Sequence, residues 1–462
     1  MKILFVGYGF HPVNAGGAAQ IQSECINACR NLGMEVAIYQ SGAFAFSPRT
    51  FLKISRLSDG TPLYDLVNSP NRPGQRKPED EIRHEVVMKI SKRVLSLAKP
   101  DIVHVHELTF HCADFIRLCG ELDIPVVKTI HNYWDLCPQR DLLFNRKTPC
   151  VDYDDGRCCV ACAFAWRQRP IVAAIWRHLH GRRIFAPTKR IWNLLQVMCS
   201  GGQGSRLNPC CVTPDADIDK QHRLASAYRR RRTEFIANLN RVNAIHVYSR
   251  KSGKILVDYG VHEDRIHYVP ISTRAVDSIA RKKPHDGRYP ITFGYRGGIA
   301  ENKGLEILIK AFRSVDQSRA RLRIFGNGQQ RYLQYLRNQA QGLNIEFMGG
   351  YPSKDVGKIN LGIDVGIIPS IWEELFGLVG IEFLGSGVPI IASDIGGINE
   401  YVIPGKNGYL VKAGDPVDLA NAMNALIQDP LGIRRLQGGC EAWISVGEMT
   451  RKLGQLYERI VG

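Results

Sequence analysis

The chain has 462 residues, of which 44% are hydrophobic and 23% charged, and its formal net charge at pH 7 is +17. This composition is that of a folded globular protein and excludes a disordered chain, while the length exceeds what one hydrophobic core holds, so we expect two or three domains. The sequence also contains no apolar run close to the roughly 18 to 20 residues that a membrane-spanning helix needs.

Strand and helix signals alternate through the first part of the chain. The first apolar run, residues 2–6, is short and ends at Gly7, which predicts a first strand and not a signal peptide. Amphipathic periodicity predicts helices at residues 18–32 and 110–122. Further short apolar runs predict strands at residues 35–39, 101–106, 125–130, 244–248 and 266–270. We therefore expect a first Rossmann-like domain over residues 1–280.

A basic stretch with two prolines, residues 281–290, predicts a linker to the second domain. Strand signals alternate with helix signals behind it, at residues 291–295, 321–325, 344–348, 363–368, 389–392 and 409–411. Repeated units of this kind predict parallel sheets, so the expected fold class is α/β with two doubly wound Rossmann-like domains. The second domain is expected over residues 281–435, and an amphipathic helix at 448–460 lies in a C-terminal segment, 436–462.

The most informative stretch lies between two apolar runs, residues 363–368 and 388–392, which have the length of buried parallel strands. The residues between them predict a loop that enters a helix near Gly377, and free N–H groups at a helix start suit a phosphate. Glu374 and Glu382 then lie on either side of this anion site. Because ionised carboxylates only accept hydrogen bonds, the pair suits a ligand with hydroxyl groups on both sides of a diphosphate, as in a nucleotide sugar.

These residues resemble family 4 of the retaining glycosyltransferases, which have the GT-B fold of two Rossmann-like domains facing a cleft. The family pattern is a glutamate, seven residues and a second glutamate with Phe-Gly between them, followed by Gly-x-Pro-x-Ile and Gly-Gly-x-x-Glu. Here the pattern is matched by Glu374, Phe376-Gly377, Glu382, Gly387-Val-Pro-Ile-Ile and Gly396-Gly397-Ile-Asn-Glu400. The alternative is an ordinary helix with two solvated glutamates.

The resemblance implies roles for these residues. It places Glu374 on the sugar hydroxyls, Glu382 on the ribose, and Phe376, Gly377 and Leu378 at the donor. It is strongest over residues 291–425 and finds nothing specific at about 138–235, which we interpret as an insertion. It also implies that the C-terminal segment crosses back onto the first domain.

Two further segments resemble the family's diphosphate contacts. Gly16 and Gly17 precede the first predicted helix, where glycine lets a bound group approach the backbone, although a tight strand-to-helix turn is the alternative. Lys303 ends a segment that supplies a lysine to the diphosphate in the family, and a mobile cation suits a leaving diphosphate. Many relatives have an arginine where this chain has Gly298, and Arg296 is the candidate to replace it.

His131 directly follows a predicted strand, so its side chain is expected at the edge where parallel sheets bind ligands. It resembles the histidine of the family's His-Asp-x-Trp segment, which touches the donor sugar, with Asn132 in place of the aspartate. His104 and His106 alternate along another predicted strand. We interpret both as structural, and a position of His106 at the ligand is the alternative.

A cysteine cluster falls in and beside the insertion. Cys159 and Cys162 have metal-chelate spacing, and Cys137 and Cys150 complete four thiolates for a structural zinc ion. Buried thiols without metal are the alternative. The thirteen cysteines do not form the pattern of a secreted disulfide framework, which favours a cytoplasmic location.

The positive charge is concentrated in one region. Between positions 151 and 250 there are 17 Lys and Arg against 7 Asp and Glu, a balance of +10 out of the chain's +17. Trp, Ile and Arg interleave at residues 166–183, and four arginines follow one another at 229–232, as in helices that lie on anionic membranes. The alternatives are a solvated basic face or an acidic partner. Nucleic acid is disfavoured, since no recognition motif accompanies the charge.

The sequence therefore predicts an enzyme of hexosyltransferase type that moves a sugar from a nucleotide diphosphate sugar to a glycan or lipid-linked acceptor, with retention. The resemblance implies bacterial cell-surface polysaccharide synthesis at the inner face of the cytoplasmic membrane, and no cofactor for transfer. The alternatives are a nucleotide-sugar epimerase or hydrolase of the same fold and a non-catalytic module that binds nucleotide sugars.

Overall fold

The computed structural model describes residues 1–9, 17–70 except 44, 46 and 48, 77–164 and 218–462. The chain divides into two compact units. The first contains Met1–Arg140, Cys150–Ile245 and Ile460–Gly462, and the second contains Asp141–Pro149 and His246–Arg459. By contacts the division falls near residue 245, although strands of the first sheet continue to Tyr268, and the boundary that the sequence placed near residue 280 stays a prediction.

The strands predicted from apolar runs are confirmed, and four further strands, β3, β4, β7 and β8, are also present. The described residues form β1 (Lys2–Tyr8), β2 (Glu35–Ala43), β3 (Phe51–Arg56), β4 (Pro62–Val67), β5 (Ile102–Val105), β6 (Val126–Thr129), β7 (Leu143–Phe144), β8 (Thr148–Pro149), β9 (Ala244–Val247), β10 (Ile266–Tyr268), β11 (Ile291–Arg296), β12 (Ala320–Phe325), β13 (Ile345–Gly349), β14 (Val365–Ile368), β15 (Ile390–Ser393) and β16 (Gly408–Val411).

Both helices that periodicity predicted in the first part of the chain are present, although the second begins at Asp114 and not at residue 110. The described α-helices are α1 (Gly17–Asn31), α2 (Pro78–Ile82), α3 (Glu85–Ala98), α4 (Asp114–Glu121), α5 (Arg157–Phe164), α6 (Ile218–Leu239), α7 (Arg250–Asp258), α8 (Arg274–Ser278), α9 (Leu305–Phe312), α10 (Gln330–Gln339), α11 (Val356–Leu361), α12 (Leu378–Gly385), α13 (Pro416–Gln428), α14 (Leu431–Gln437) and α15 (Val446–Val461).

The larger sheet has eight strands in the order β10-β9-β6-β5-β1-β2-β4-β3. Its central pairs are parallel, and β3 is added antiparallel to β4. The central strand β1 is buried along its whole interior, because its five inner residues are apolar or glycine and both faces of the sheet are covered.

The second sheet has six strands in the order β13-β12-β11-β14-β15-β16, all of them parallel. The chain runs outward from β11 in one direction and then returns to β14 and runs outward in the other. The strand order therefore reverses between β11 and β14, and ligands of doubly wound folds bind outside the carboxyl ends of the strands at such a point.

The predicted linker, residues 281–290, is packed onto the second unit. The Lys282 ammonium donates to Asp364 at 2.7 Å and to the Ile363 carbonyl at 2.6 Å. The backbone N–H of His285 donates to Gln437 Oε1 at 2.7 Å. Because these polar groups find partners around β14 and α14, the stretch packs with the second unit. It also connects β10, a strand of the first sheet, to β11, a strand of the second sheet.

The C-terminal segment is also counted mainly with the second unit, except for its last three residues. Ser272 donates its hydroxyl to the Ile444 carbonyl at 2.6 Å, and the indole of Trp443 donates to the Ile271 carbonyl at 2.7 Å. The segment that leads into α15 therefore packs against residues that the sequence analysis placed in the first domain and that the contacts place in the second.

Candidate functional site

The predicted donor residues of the second unit gather at the strand-order reversal. Arg296 is the last residue of β11, and Lys303 is the last residue of a single 3₁₀ turn that follows this strand in the sequence. Glu374 lies in the loop that follows β14, and Glu382 lies in α12, the helix that this loop enters. These four side chains therefore meet at the carboxyl ends of the two strands where the order reverses.

Helix α12 begins where the sequence predicted. Gly377 precedes its first residue, Leu378, with a φ of 86°, in the left-handed region that favours glycine. A Cβ atom at Gly377 would lie 3.0 Å from the hydroxyl of Tyr401, and one at Gly380 would lie 2.2 Å from it. No described side chain caps the first N–H groups of this helix, so its start offers backbone donors and a positive dipole end to an anion.

Glu382 is held by a buried ion pair with Arg296. The Arg296 Nη2 donates to Glu382 Oε2 at 2.6 Å, and only 2% and 7% of the two side chains are exposed. Thr273 donates its hydroxyl to Glu382 Oε1 at 3.2 Å, and Arg296 Nη1 donates to the Tyr351 hydroxyl at 3.2 Å. Burial by itself lowers the pKa of Arg296, but the Glu382 carboxylate and Tyr351 raise it by more, so the guanidinium stays charged.

Glu374 is paired with Lys303 in a more open setting. The Lys303 ammonium donates to Glu374 Oε1, which also accepts from the Ser370 hydroxyl at 2.8 Å. The Glu374 side chain is 8% exposed and that of Lys303 is 29% exposed. The ammonium also lies 5.0 Å from the ring centroid of Trp372, which stabilises the cation.

The Gly-Gly-x-x-Glu motif fixes the backbone of the loop that carries Glu374. Gly397 donates its N–H to the Glu374 carbonyl at 2.7 Å. Gly396 has a φ of 63°, and a Cβ atom there would lie 2.1 Å from the same carbonyl oxygen. The last residue of the motif, Glu400, accepts from the backbone N–H of Lys251 at 2.9 Å. Two glycines are therefore needed because the two backbones approach closely.

The ring of Phe376 supports this loop from inside. It is 1% exposed and packs against Tyr401 and Trp443, with ring centroids 5.1 and 5.2 Å away. The sequence predicted Phe376 at the donor, and any contact of this residue with a donor stays a prediction. A ligand at the start of α12 would meet the backbone here, because the ring is buried.

Gly298 is exposed, and a Cβ atom there would have no heavy atom of the described residues within 4 Å. Arg296, the candidate to replace an arginine at this position, is bonded through Nη2 to Glu382 and through Nη1 to Tyr351. The structure therefore gives Arg296 a direct role in holding Glu382, and any contact of Arg296 with a donor stays a prediction.

The first unit contains the other predicted site residues. Gly17 is the first residue of α1, while Gly16 lies outside the described residues. His131 lies two residues behind β6, and its Nε2 is 2.7 Å from Nδ1 of His106. His104 is buried and bonded to the Thr129 hydroxyl at 2.6 Å. The prediction that His104 is structural fits this position, whereas His106 is bonded directly to a predicted site residue.

The four predicted metal-binding cysteines all lie in the first unit. Cys137, Cys159 and Cys162 are buried, and Cys150 is half-buried. The pKa of Cys159 is raised to about 12, chiefly by burial; Arg232 opposes the rise, and the neighbouring Cys137, Cys150 and Cys162 add to it. Across the described part of the chain, no group of three or more His, Cys, Asp or Glu side chains could hold a metal ion. Zinc at these thiols stays a prediction, which metal analysis of the purified protein tests.

The arginine run in α6 has two different halves. Arg229 and Arg230 are exposed, whereas Arg231 and Arg232 are buried. Arg231 donates to Glu81 Oε2 at 2.5 Å, and its guanidinium lies 4.2 Å from the ring centroid of Phe235. Arg232 donates to the Leu136 carbonyl at 2.9 Å. Only half of the run can therefore face a membrane or partner, and the interleaved stretch at 166–183 lies outside the described residues.

Two family models match the chain. The Glycosyltransferase Family 4 model matches residues 15–197, and the Glycosyl transferases group 1 model matches residues 290–429. The chain is 34% identical over 145 residues to a phosphatidyl-myo-inositol mannosyltransferase of Mycobacterium leprae. The matched segment covers 30% of this chain and 38% of the relative. It is 30% identical over 201 residues to a D-inositol 3-phosphate glycosyltransferase of Nocardia farcinica, 38% of this chain and 43% of the relative. The chain thus spans about two fifths of the length of these curated relatives.

Solved structures share the fold over the whole chain. HepE of Anabaena, in complex with UDP, has a TM-score of 0.62 at 15% identity and covers 99% of this chain and 100% of its own. The sucrose-phosphate synthase of Thermosynechococcus elongatus has a TM-score of 0.63 at 16% identity, with 99% and 98% covered. At these identities the likeness shows the fold, which is GT-B as the sequence predicted.

Among the described residues, no helix has the length and apolar character that would let it cross a membrane. The two family models lie on the two halves of the chain and together match well over half of its residues. The resemblance found at Glu374, Glu382 and the glycines between and behind them is confirmed by these matches. The chain belongs to the family 4 glycosyltransferases.

Proposed function

We propose that this protein is a retaining glycosyltransferase that transfers a sugar from a nucleotide diphosphate sugar to a glycan or lipid-linked acceptor. The observation that carries the proposal is the position of two buried carboxylates, Glu374 and Glu382, on either side of the start of α12. Each is already oriented by a cation and by a hydroxyl, and a carboxylate has lone pairs left for ligand hydroxyls.

The work expected from this arrangement is mainly electrostatic. The N–H groups at the start of α12 and the partly exposed ammonium of Lys303 stabilise the negative charge of the departing diphosphate. Glu374 accepts from sugar hydroxyls, and Glu382 accepts from the ribose. His131, in the first unit, contacts the donor sugar. We assign no general base, because in a retaining front-face attack the leaving phosphate itself accepts the proton of the acceptor.

The acceptor proposal rests on relatives and on charge. The name of one curated relative includes phosphatidyl-myo-inositol, and one similar fold is that of the lipopolysaccharide outer core galactosyltransferase WaaB. Such acceptors fit an enzyme of bacterial cell-surface polysaccharide synthesis in the cytoplasm, bound peripherally to the inner face of the membrane. The exposed cations Arg229 and Arg230 would contribute to an anionic membrane contact.

A thermal-shift panel tests the donor part of the proposal, because a ligand that binds only the folded state raises the melting temperature. Sugars linked to UDP, GDP, ADP and dTDP are compared with the free nucleoside diphosphates. We expect one nucleotide family to raise the melting temperature of the wild type and to do so less in Glu382→Ala. A chain that responds to none of these ligands and hydrolyses none of them would contradict the proposal.

Product analysis with and without acceptor then separates transfer from the alternatives. A transferase forms a glycoside only when an acceptor is present, and it releases the nucleoside diphosphate in equal amount. A rearranged nucleotide sugar, or free sugar at an unchanged rate in both cases, indicates an epimerase or hydrolase of the same fold. The anomeric configuration of the product tests retention.

A further inference from the structure

We propose that His106 is a positioning residue that holds the His131 ring in one orientation and one tautomer. The proposal rests on the proposed function, because it takes His131 as the side chain that contacts the donor sugar. It concerns the first unit alone.

The two histidines are brought together by neighbouring strands. β5 and β6 are parallel, with Val103 opposite Val126 and Val105 opposite Lys128. His106 follows β5 directly, and His131 follows β6 by two residues. Because parallel strands end at the same edge of a sheet, both rings lie at the carboxyl edge, where doubly wound sheets bind ligands.

The bond between the rings restricts their protonation. Nδ1 of His106 lies 2.7 Å from Nε2 of His131, and the ring planes are 25° apart with centroids 5.0 Å from each other. One of the two nitrogens must carry a hydrogen and the other must accept it. If Nδ1 of His106 carries the hydrogen, Nε2 of His131 must accept it, and neutral His131 then carries its own hydrogen on Nδ1; in the reverse case it carries the hydrogen on Nε2. The bond is lost if both rings become fully protonated.

His106 itself is fixed by the core. Its side chain is buried, with the residue 2% exposed, and its ring packs against Phe5 and His104 at centroid distances of 5.7 and 4.2 Å. Its backbone N–H donates to the Val6 carbonyl on β1 at 2.8 Å. His131 is only half-buried. The buried ring is thus suited to orient, and the half-buried ring to contact a ligand.

A buried ion pair supports the same arrangement. The Lys128 ammonium donates to the His106 carbonyl at 3.3 Å and lies 3.4 Å from the carboxylate of Asp135. Only 4% and 5% of these two side chains are exposed. Asp135 belongs to the segment that begins at His131, so Lys128 ties that segment to the backbone of His106. Lys128 therefore stabilises the positions of both the backbone of His106 and the segment that begins at His131.

The kinetic test compares substitutions at two adjacent buried histidines. His106→Leu keeps bulk but removes the bond to His131, whereas His106→Asn places an amide near the position of Nδ1. His104→Leu is the matched control, because His104 is equally buried but bonded to Thr129. We expect His106→Leu to lower kcat about ten- to hundredfold with little change in the donor KM, since small displacements of a positioned group cost this much. His106→Asn should recover much of the loss, and His104→Leu should stay near the wild type.

A wild-type kcat in folded His106→Leu, or a loss no larger than that of His104→Leu, would overturn the proposal. The second measurement needs no substrate and uses the ring nitrogen chemical shifts of His131 in ¹⁵N-histidine-labelled protein. We expect one fixed tautomer in the wild type and in His106→Asn, and a mixture in His106→Leu. A mixture already in the wild type would also overturn the proposal. A protein with a fixed His131 tautomer but no turnover of any nucleotide sugar would instead contradict the proposed function.

Discussion

Two regions of the molecule, the donor site around α12 and the arginine run of α6, each contain a buried, paired cation and an accessible cation. In each, one cation is buried against a carboxylate: Arg296 with Glu382 in the second unit, and Arg231 with Glu81 in the first. Neighbouring cations of the same regions stay accessible, since Lys303 is partly exposed and Arg229 is exposed. A run of basic residues in a sequence therefore gives the number of cations, whereas burial in the folded protein decides which of them a ligand can reach.

The largest expected effect comes from breaking the pair in the first unit. Arg231→Gln removes the buried ion pair with Glu81 and the contact with Phe235. Removing one partner of a buried ion pair costs about 3–5 kcal/mol, because an uncompensated charge remains in the interior. Urea unfolding checks this, with Arg230→Gln as the exposed control, for which we expect a change within about 0.5 kcal/mol. Equal free energies of unfolding for the two variants would contradict the conclusion that Arg231 is buried and paired whereas Arg230 is exposed.

The same experiment on the donor site adds a binding measurement. Arg296→Gln should lower the free energy of unfolding by about 3–5 kcal/mol, for the same reason. It should also weaken binding of the nucleoside diphosphate, because Glu382 loses the group that orients it. Arg435→Gln, at an exposed pair with Asp429, is the control. Lost binding with unchanged stability would mean that Arg296 acts on the donor directly.

The two carboxylates should separate sugar from nucleotide. We expect Glu374→Ala to lose transfer while it keeps most of its affinity for the free nucleoside diphosphate, and Glu382→Ala to bind the nucleotide itself more weakly. Each lost charge-assisted hydrogen bond is worth about 1.5–3 kcal/mol, roughly ten- to a hundredfold. Calorimetric titration and initial rates measure the two effects. Turnover close to wild type in both variants would refute the site assignment.

The smallest expected effect concerns the accessible half of the arginine run. The wild type should sediment with anionic vesicles but not with neutral ones, and binding should fall steeply as salt is added. Arg229→Gln with Arg230→Gln should weaken this binding by about 1 kcal/mol per charge removed. Adding Arg182→Gln and Arg183→Gln should release the protein. Indifference to lipid charge would indicate a soluble enzyme with a soluble acceptor.

Much of the second unit could be predicted from local sequence. The apolar runs gave its six strands, and the order of Glu374, Gly377 and Glu382 placed a helix start between two carboxylates, as observed. These features depend on residues a few positions apart, whose spacing along the chain fixes their spacing in space. Composition could not show that residues 281–290, which connect the strands of the two sheets, pack onto the second unit through the pair of Lys282 with Asp364, far along the chain.

Only the tertiary structure decided which side chains contact one another across different elements. The sequence by itself determined the family, the parallel sheets and the candidate donor residues, because apolar periodicity and glycine positions are local. It could not show that Arg296 holds Glu382, that the ring of Phe376 is buried, or that His106 bonds to His131. Each of these contacts joins residues on different elements, and burial, which decides whether a charge serves the core or a ligand, exists only once those elements have packed together.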